Sequence, residues 1–324
     1  MAKAPVSNAK RGVTVHLAGG LGNQLFQYAF GRRLSMMNGA ALILDASDYR
    51  PHSTPDYEKG VRVCELSNFA VSGTIIEART PTARSSRAER RPWLMRKILK
   101  WWGILRLVPG RLRPYYERPE IVEPEENHFR FDPKVYGRSV RGPVSVRGFW
   151  QSERYFSDIE DVIRRELVVH RELSGKNLET ANAIRNSVSV CVHVRHGDNA
   201  GPIAERLGVL PAAYYAVAMG ALNQELRGAH FFVFSDDISW ARQVLPAHLK
   251  TTYVDHNRGD RSHEDLRLMV FGKHHVIANS TFGWWGAWLG KKDGQIVYAP
   301  RRYYQNIDRP NPDLYPPAWR LVQG

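Results

Sequence analysis

Apolar and polar positions alternate most regularly in the second half of the chain. Val188, Val190, Val192 and Val194, with Cys191 between them, form a β-branched apolar run. It has the length of a buried strand and is too short for a helix that buries itself. The run breaks into His193, Arg195, His196, Gly197, Asp198 and Asn199, and a helix follows from Pro211, proline being suited to a helix start. The same layout then recurs. Residues 231–234 predict a strand ending in Ser235-Asp236-Asp237, and 251–254 one ending in Asp255-His256-Asn257. A helix then starts at Ser262, whose spacing to Asp265 resembles a capping box. Residues 275–278 end in Asn279-Ser280-Thr281 before a helix through Trp284, Trp285 and Trp288, and 295–299 make a last strand. Five strands with four helices between them predict a doubly wound parallel α/β sheet.

The first half is less regular. Val13 to Leu17 alternates as a strand and runs into Gly19-Gly20-Leu21-Gly22. A helix is predicted over 23–38, with Leu25, Phe26, Ala29, Phe30, Leu34 and Met37 on helical spacing. Ala41 to Leu44 gives a strand ending at Asp45, residues 46–60 read as a loop, and 72–126 carry little pattern. Val144 to Trp150 returns to strand, and Ser152 opens a helix with Asp158, Glu160 and Asp161 in its first turns. Ser174-Gly175-Lys176 stops the pattern, which places a domain boundary there, with domains 1–175 and 176–324.

Parallel strands present their ligand contacts at their carboxyl ends. Four successive ends of the second half carry polar residues, which predicts a nucleotide-type site. The glycine turn before the first helix brings backbone N–H groups and a helix N-terminus to the same region, an arrangement that favours anions. It is neither G-x-x-x-x-G-K-[ST] nor a complete G-x-G-x-x-G, so phosphate-loop and dinucleotide fingerprints are excluded. Pattern alone yields a class of site and no reaction.

Composition narrows the class. With 324 residues, 43% of them hydrophobic, and nine tryptophans, the chain can pack two cores. Two cysteines, Cys64 and Cys191, make no disulfide framework and fit a reducing compartment. The polar start of the chain lacks an apolar signal region, and no run of about 18 apolar residues spans a membrane. The expected location is therefore cytoplasmic. The net charge of +14 is lumped: residues 84–118 hold eleven basic side chains against Glu89 and Glu117, interleaved with Trp93, Trp101, Trp102 and aliphatics. That mixture reads as a basic amphipathic segment for an anionic membrane surface or an acidic partner, peripheral on the inner face; the alternative is an ordinary charged outer helix. No nucleic-acid motif accompanies it.

Five stretches carry a resemblance: G-G-L-G-N-Q-L-F-Q-Y-A-F-G (19–31), G-F-W-Q-S-E-R-Y-F (148–156), H-V-R-H-G-D (193–198), F-V-F-S-D-D-I (232–238) and A-N-S-T-F-G-W-W-G-A-W-L (278–289). In this order they resemble the bacterial α1,2-fucosyltransferases of glycosyltransferase family 11. The resemblance implies a GT-B fold, two Rossmann-like domains facing across a cleft. It also implies GDP-β-L-fucose as donor, inversion at the anomeric carbon, transfer to an oligosaccharide or lipid-linked glycan, and neither cofactor nor metal. By position Arg195 matches the phosphate-binding arginine, and His193 and Asp237 the contacts around guanine. Asn279, Ser280 and Thr281 fall in the diphosphate turn, and Asn23 reaches the donor from the first domain. Trp150 and Gln151 fall on the acceptor side. The family pattern has a second arginine where this chain has His196, and many members have a histidine where it has Leu207, which leaves the base unsettled. Asp198 is the candidate by location, the alternatives being that it only anchors the loop or that the reaction needs little base. Two other readings stay open: a GT-B transferase for another nucleotide sugar, and a catalytically idle polyanion-binding protein on the same scaffold. Trp284, Trp285 and Trp288 are expected in the core rather than as sugar platforms.

Overall fold

The computed structural model describes residues 12–49, 63–77, 119–196 and 202–323. The basic segment 84–118 and Asp198 lie outside the described residues. Two parallel sheets organise the chain. The first has the strand order β3-β2-β1-β5-β4, from β1 (Gly12–His16), β2 (Ala41–Ala46), β3 (Thr74–Glu77), β4 (Glu120–Val122) and β5 (Val144–Arg147). The second has the order β11-β10-β9-β6-β7-β8, from β6 (Val188–Val194), β7 (Ala229–Ser235), β8 (Thr251–Val254), β9 (His274–Val276), β10 (Val297–Pro300) and β11 (Arg320–Val322). In the second sheet the chain builds outward from β6 to β8, then returns beside β6 and builds outward through β11. In the first it builds from β1 to β3, crosses to the far edge at β4 and comes back beside β1 with β5. The reversal lies between β1 and β5 in the first sheet and between β6 and β9 in the second.

Strand β6 explains why the second sheet is covered on both faces. Val190, Val192 and Val194 point into one core, with Phe231 and Val233 of β7 and the helix Ala212–Glu225. Cys191 points into the other, with Phe232 and Phe234 and the helices Gly175–Arg185 and Ser262–Val270. Ser189 and His193 share the Cys191 face and are buried with it, so the strand is covered on both sides, as strands of a parallel sheet are. Burial pushes the Cys191 thiol up to about 12, so it packs as a small apolar group. His275 is also buried: its Nε2 faces Met269 O at 2.8 Å and its Nδ1 faces Gln295 Nε2 at 3.1 Å.

In chain order the helices are α1 (Leu21–Met37), α2 (Pro133–Tyr136), α3 (Glu160–Glu166), α4 (Gly175–Arg185), α5 (Pro202–Leu207), α6 (Ala212–Glu225), α7 (Ile238–Val244), α8 (Ser262–Val270) and α9 (Thr281–Leu289). None of the described helices is long and apolar enough to cross a membrane. Helix α1 is buried nearly all round because it is wedged between its own sheet and α9. Its buried polar groups all find partners, as interior burial requires. Gln27 accepts from Ala18 N and donates to Gly148 O, each at 3.0 Å, tying the ends of β1 and β5 together.

The three tryptophans of α9 are interior, as expected, and join the two sheets' cores. Phe26 of α1 lies 4.5 Å from the ring of Trp284 and 4.9 Å from that of Trp285, and Phe156 stacks on Trp285 at 5.5 Å. Each indole N–H is satisfied: Trp284 by Leu314 O, Trp285 by Gly22 O and Trp288 by the Glu153 carboxylate.

Several sequence expectations are corrected. Gly175 starts α4 rather than ending an element, since Ala181 and Ile184 have the β6 face to cover. Pro211 caps α6 from outside the helix. Ser262 gives its hydroxyl to the Glu65 carboxylate of the first half, at 2.6 and 2.8 Å, instead of capping α8. Residues 152–159 form two short 3-10 turns before α3. A sixth strand, β11, extends the second sheet beyond the five predicted.

Gly22 is where α1 touches α9. A Cβ built there would lie 2.5 Å from Thr281 C and 2.6 Å from Phe282 N, both backbone atoms that cannot rotate away. Gly22→Ala is therefore expected to destabilise the protein by about 1–3 kcal/mol, the usual scale of overpacking. Urea denaturation of the two proteins checks it; an unchanged midpoint would mean the helices separate freely.

Candidate active site

A cleft of about 1110 Å³ runs between the carboxyl ends of the two sheets. Its floor is the meeting of two helix N-termini. Helix α1 begins after the Gly19-Gly20 turn, and α9 begins after Ser280, whose hydroxyl accepts from Phe282 N at 3.3 Å. Asn23 joins them: its Oδ1 accepts from Thr281 Oγ1 at 3.0 Å and from Gln151 Nε2 at 2.9 Å. Two helix dipoles thus present their positive ends to the same space, which suits an anion.

The second-sheet wall holds His193 and Arg195 at the end of β6, Asp236 and Asp237 at the end of β7, and Asp255 and Asn257 after β8. His193 is buried, its Nδ1 without a partner, and burial followed by the charge of Arg195 pulls its imidazole down to about 3. It is a neutral ring at any working pH. The Arg195 charge also acts on Tyr303, whose hydroxyl burial raises above the usual phenol value. Tyr303 follows β10 and lines the cleft.

Asp237 caps α7, accepting from Trp240 N at 2.9 Å, and its other oxygen faces His196 Nδ1 at 3.0 Å. These contacts, the helix cap first, hold its carboxyl below the usual value. The His196 ring stacks on Trp240 at 4.4 Å, and His196 N donates to Asp236 Oδ1 at 2.9 Å. Position 196 thus braces the aspartate pair.

The sequence candidates do not all converge. Asn23, Gln151, His193, Arg195, Asp237, Ser280 and Thr281 line the cleft. Asn279 instead spends its amide on Leu207 O, Gly208 O and Tyr303 O, fixing the segments after α5 and β10. Trp150 is in the first core, stacked on Phe30 at 4.3 Å, and Phe149 takes the place on the cleft wall that its neighbour was expected to hold. Asp198, as noted, is outside the described residues.

The sequence reading missed Glu65, His128, Phe149, Asp265 and Tyr303, all of which line the cleft. Tyr303 was within reach of the strand-end rule, being three residues past β10. Asp265 sits one turn into α8, where burial raises its carboxyl to about 7 against the Asn257 amide at 2.8 Å. Its only local signal, the spacing to Ser262, reads as a helix cap and not as a site.

The profile of the family described as Glycosyl transferase family 11 matches residues 134–323. Alpha-1,2-colitosyltransferase of Escherichia coli is 29% identical over 315 residues, covering 96% of this chain and 99% of that protein. Galactoside 2-alpha-L-fucosyltransferase Sec1 of Mus musculus is 25% identical over 319 residues, covering 94% of this chain and 72% of that protein. Among solved structures, fucosyltransferase NodZ from Bradyrhizobium superposes with a TM-score of 0.48 at 15% identity, covering 86% of this chain and 92% of that one.

The neutral His193 has a signed consequence. Its folded value lies below the ordinary 6.5, so its contribution to stability is complete above about pH 6.5 and is lost as pH falls towards 3. In that window it should account for about 1.4 kcal/mol per pH unit of acid destabilisation. His193→Gln should remove one proton's worth of slope from the stability–pH curve, measured by urea titration at several pH values. An unchanged slope would mean that His193 titrates normally.

Proposed function

This chain belongs to glycosyl transferase family 11, and on that footing we propose that it moves L-fucose from GDP-β-L-fucose to the 2-hydroxyl of a β-galactoside, inverting C1 to form an α1,2 linkage. One observation carries the reading: Arg195 and the N-terminus of α9 meet at the β6/β9 reversal of the second sheet, facing the N-terminus of α1. Ligands of open α/β sheets bind at such a reversal. The residues after 175 take the donor, and the wall from the first sheet takes the acceptor, an oligosaccharide or lipid-linked glycan.

The diphosphate lies over the two helix ends, within reach of Arg195, Ser280 and Thr281. Guanine lies towards His193 and Asp237, where a carboxylate accepts from guanine N1–H and N2–H together, a pair that adenine lacks. As C1 separates from the β-phosphate oxygen, negative charge grows on GDP. Fixed donors there act more strongly on the transition state than on the bound donor. A guanidinium fork matches phosphate oxygens two at a time. The acceptor oxygen attacks C1 from the face opposite GDP, which turns the β-configured donor into an α product in one displacement.

This distribution of charge needs no cofactor and no metal. Asp236 and Asp237 are held by His196 and the α7 cap rather than turned together as a cation site. The relative named for colitose favours a second donor on the same contacts. Colitose is L-fucose without its 3-hydroxyl, so GDP-colitose differs only at the sugar.

Transfer assays with GDP-fucose and GDP-colitose against a panel of β-galactosides test the reading, and absence of any transfer would sink it. Activity should survive excess EDTA; a complete loss restored by Mg²⁺ or Mn²⁺ would end the metal-free account. Arg195→Lys keeps the charge and loses the fork, so kcat should fall roughly 100- to 1000-fold, the scale of one lost preorganised donor. GDP affinity should fall less. A lysine variant with wild-type turnover would make Arg195 a structural residue.

A further inference from the structure

Among the described residues, only Phe129 and Trp150 combine a side chain with a positive φ, at 63° and 56°. Backbone held there costs about 1–3 kcal/mol per residue and persists only where the surroundings enforce it. The two positions follow different strands, β4 and β5, yet each adjoins a residue on the same patch of cleft wall: His128 before Phe129, and Phe149 before Trp150. Their rings meet edge-on, 5.5 Å apart.

One carboxylate holds this patch. Glu123, directly after β4, is buried and accepts from Phe149 N at 2.6 Å and Trp150 N at 3.2 Å. Its Oε2 is 3.7 Å from His128 Nε2. Gly148 makes room for it, since a Cβ there would come within 2.4 Å of Glu123 Cβ. The other titratable side chains on this wall are committed elsewhere. Glu65 takes the Ser262 hydroxyl, and Glu125 pairs with Arg206 at 3.1 Å and Arg309 at 3.4 Å. Burial and then Arg309 pull His128 below its ordinary value, with Glu125 acting the other way, so its ring is neutral and able to accept a proton. Burial raises the Glu123 carboxyl to about 7.

We propose that His128 is the catalytic base that takes the proton of the acceptor hydroxyl, with Phe149 as the apolar surface under the acceptor sugar and Glu123 as the positioning residue behind the imidazole. The proposal rests on the transfer reaction set out above. In the step, the acceptor O–H bond breaks and its proton passes to the imidazole. The freed electron pair forms the bond to C1. The bond from C1 to the β-phosphate oxygen breaks, and its pair leaves with GDP. The imidazolium then faces Glu123 in its ionised form, 3.7 Å away, until its proton returns to solvent. A base of this kind contributes about 100- to 10,000-fold, and a carboxylate behind an imidazole is a recurring way to orient and charge-balance it.

The experiment compares transfer kinetics, GDP affinity and thermal midpoint in wild type, His128→Ala and Glu123→Gln. His128→Ala should lower kcat at least about 100-fold while GDP affinity stays within about threefold, and added imidazole should restore part of the rate. Glu123→Gln should lower kcat about tenfold, with the acceptor KM little changed. Transfer by His128→Ala within about tenfold of wild type would overturn the proposal, as would a loss matched by an equal loss of GDP affinity. If wild type transfers and His128→Ala transfers as well, only this proposal falls. If wild type transfers no sugar, the reaction and the base fall together.

Discussion

The contact between α1 and α9 at Gly22 sets the geometry of everything else. Two helices can bring their N-termini this close only if one lacks a Cβ at the crossing, and the backbone of Thr281 and Phe282 fills that space. Phe26, Phe156, Trp284 and Trp285 then seal the contact with a desolvated aromatic cluster. Aromatic side chains of this size bury large areas and pack in specific orientations, so the junction is strong as well as directional. With the floor of the cleft fixed, the two sheets can present their carboxyl ends to one space.

Most polar groups of the cleft are already engaged before any ligand arrives. Asn23 is held by Thr281 and Gln151, Asp237 by Trp240 and His196, and Glu65 by Ser262. These bonds fix side-chain positions, which reduces the reorganisation a bound diphosphate or sugar requires. Two of them, Asn23 with Thr281 and Glu65 with Ser262, cross between the halves of the chain, so cleft geometry and fold stability depend on the same contacts. His193 illustrates the cost. Its burial keeps it neutral and rigid beside Arg195, and acid must destabilise the protein through it.

The two walls differ in how they are built. The second sheet offers residues at strand ends in ordinary backbone conformations, held by the register of β6 with β7 and β9. The wall from the first sheet depends on strained backbone at Phe129 and Trp150 and on the buried Glu123 carboxylate. Strain of this kind survives because Phe30 stacks on Trp150 and Tyr303 packs against Phe129 at 4.7 Å.

Hydrophobic period and strand-end chemistry were enough to determine the α/β class, the β6 and β8 spans and the gathering of His193, Arg195, Asp237, Ser280 and Thr281. Those features are local: a β-branched run followed by polar residues means the same thing wherever it occurs in a parallel sheet. The interior place of the α9 tryptophans was also legible. Other features depend on residues distant in sequence. Trp150 rather than Phe149 was expected at the cleft, because only the positive φ at position 150 and the Phe30 ring decide which of the two turns inward. Gly175 opens a helix because β6 needs a cover, and Ser262 abandons its cap because Glu65 is opposite. Strand order, the closeness of α1 to α9 and the meeting of Glu123 and His128 with Phe149 follow from long-range packing. No window of the sequence contains both partners of such a contact, so only the tertiary structure could decide them.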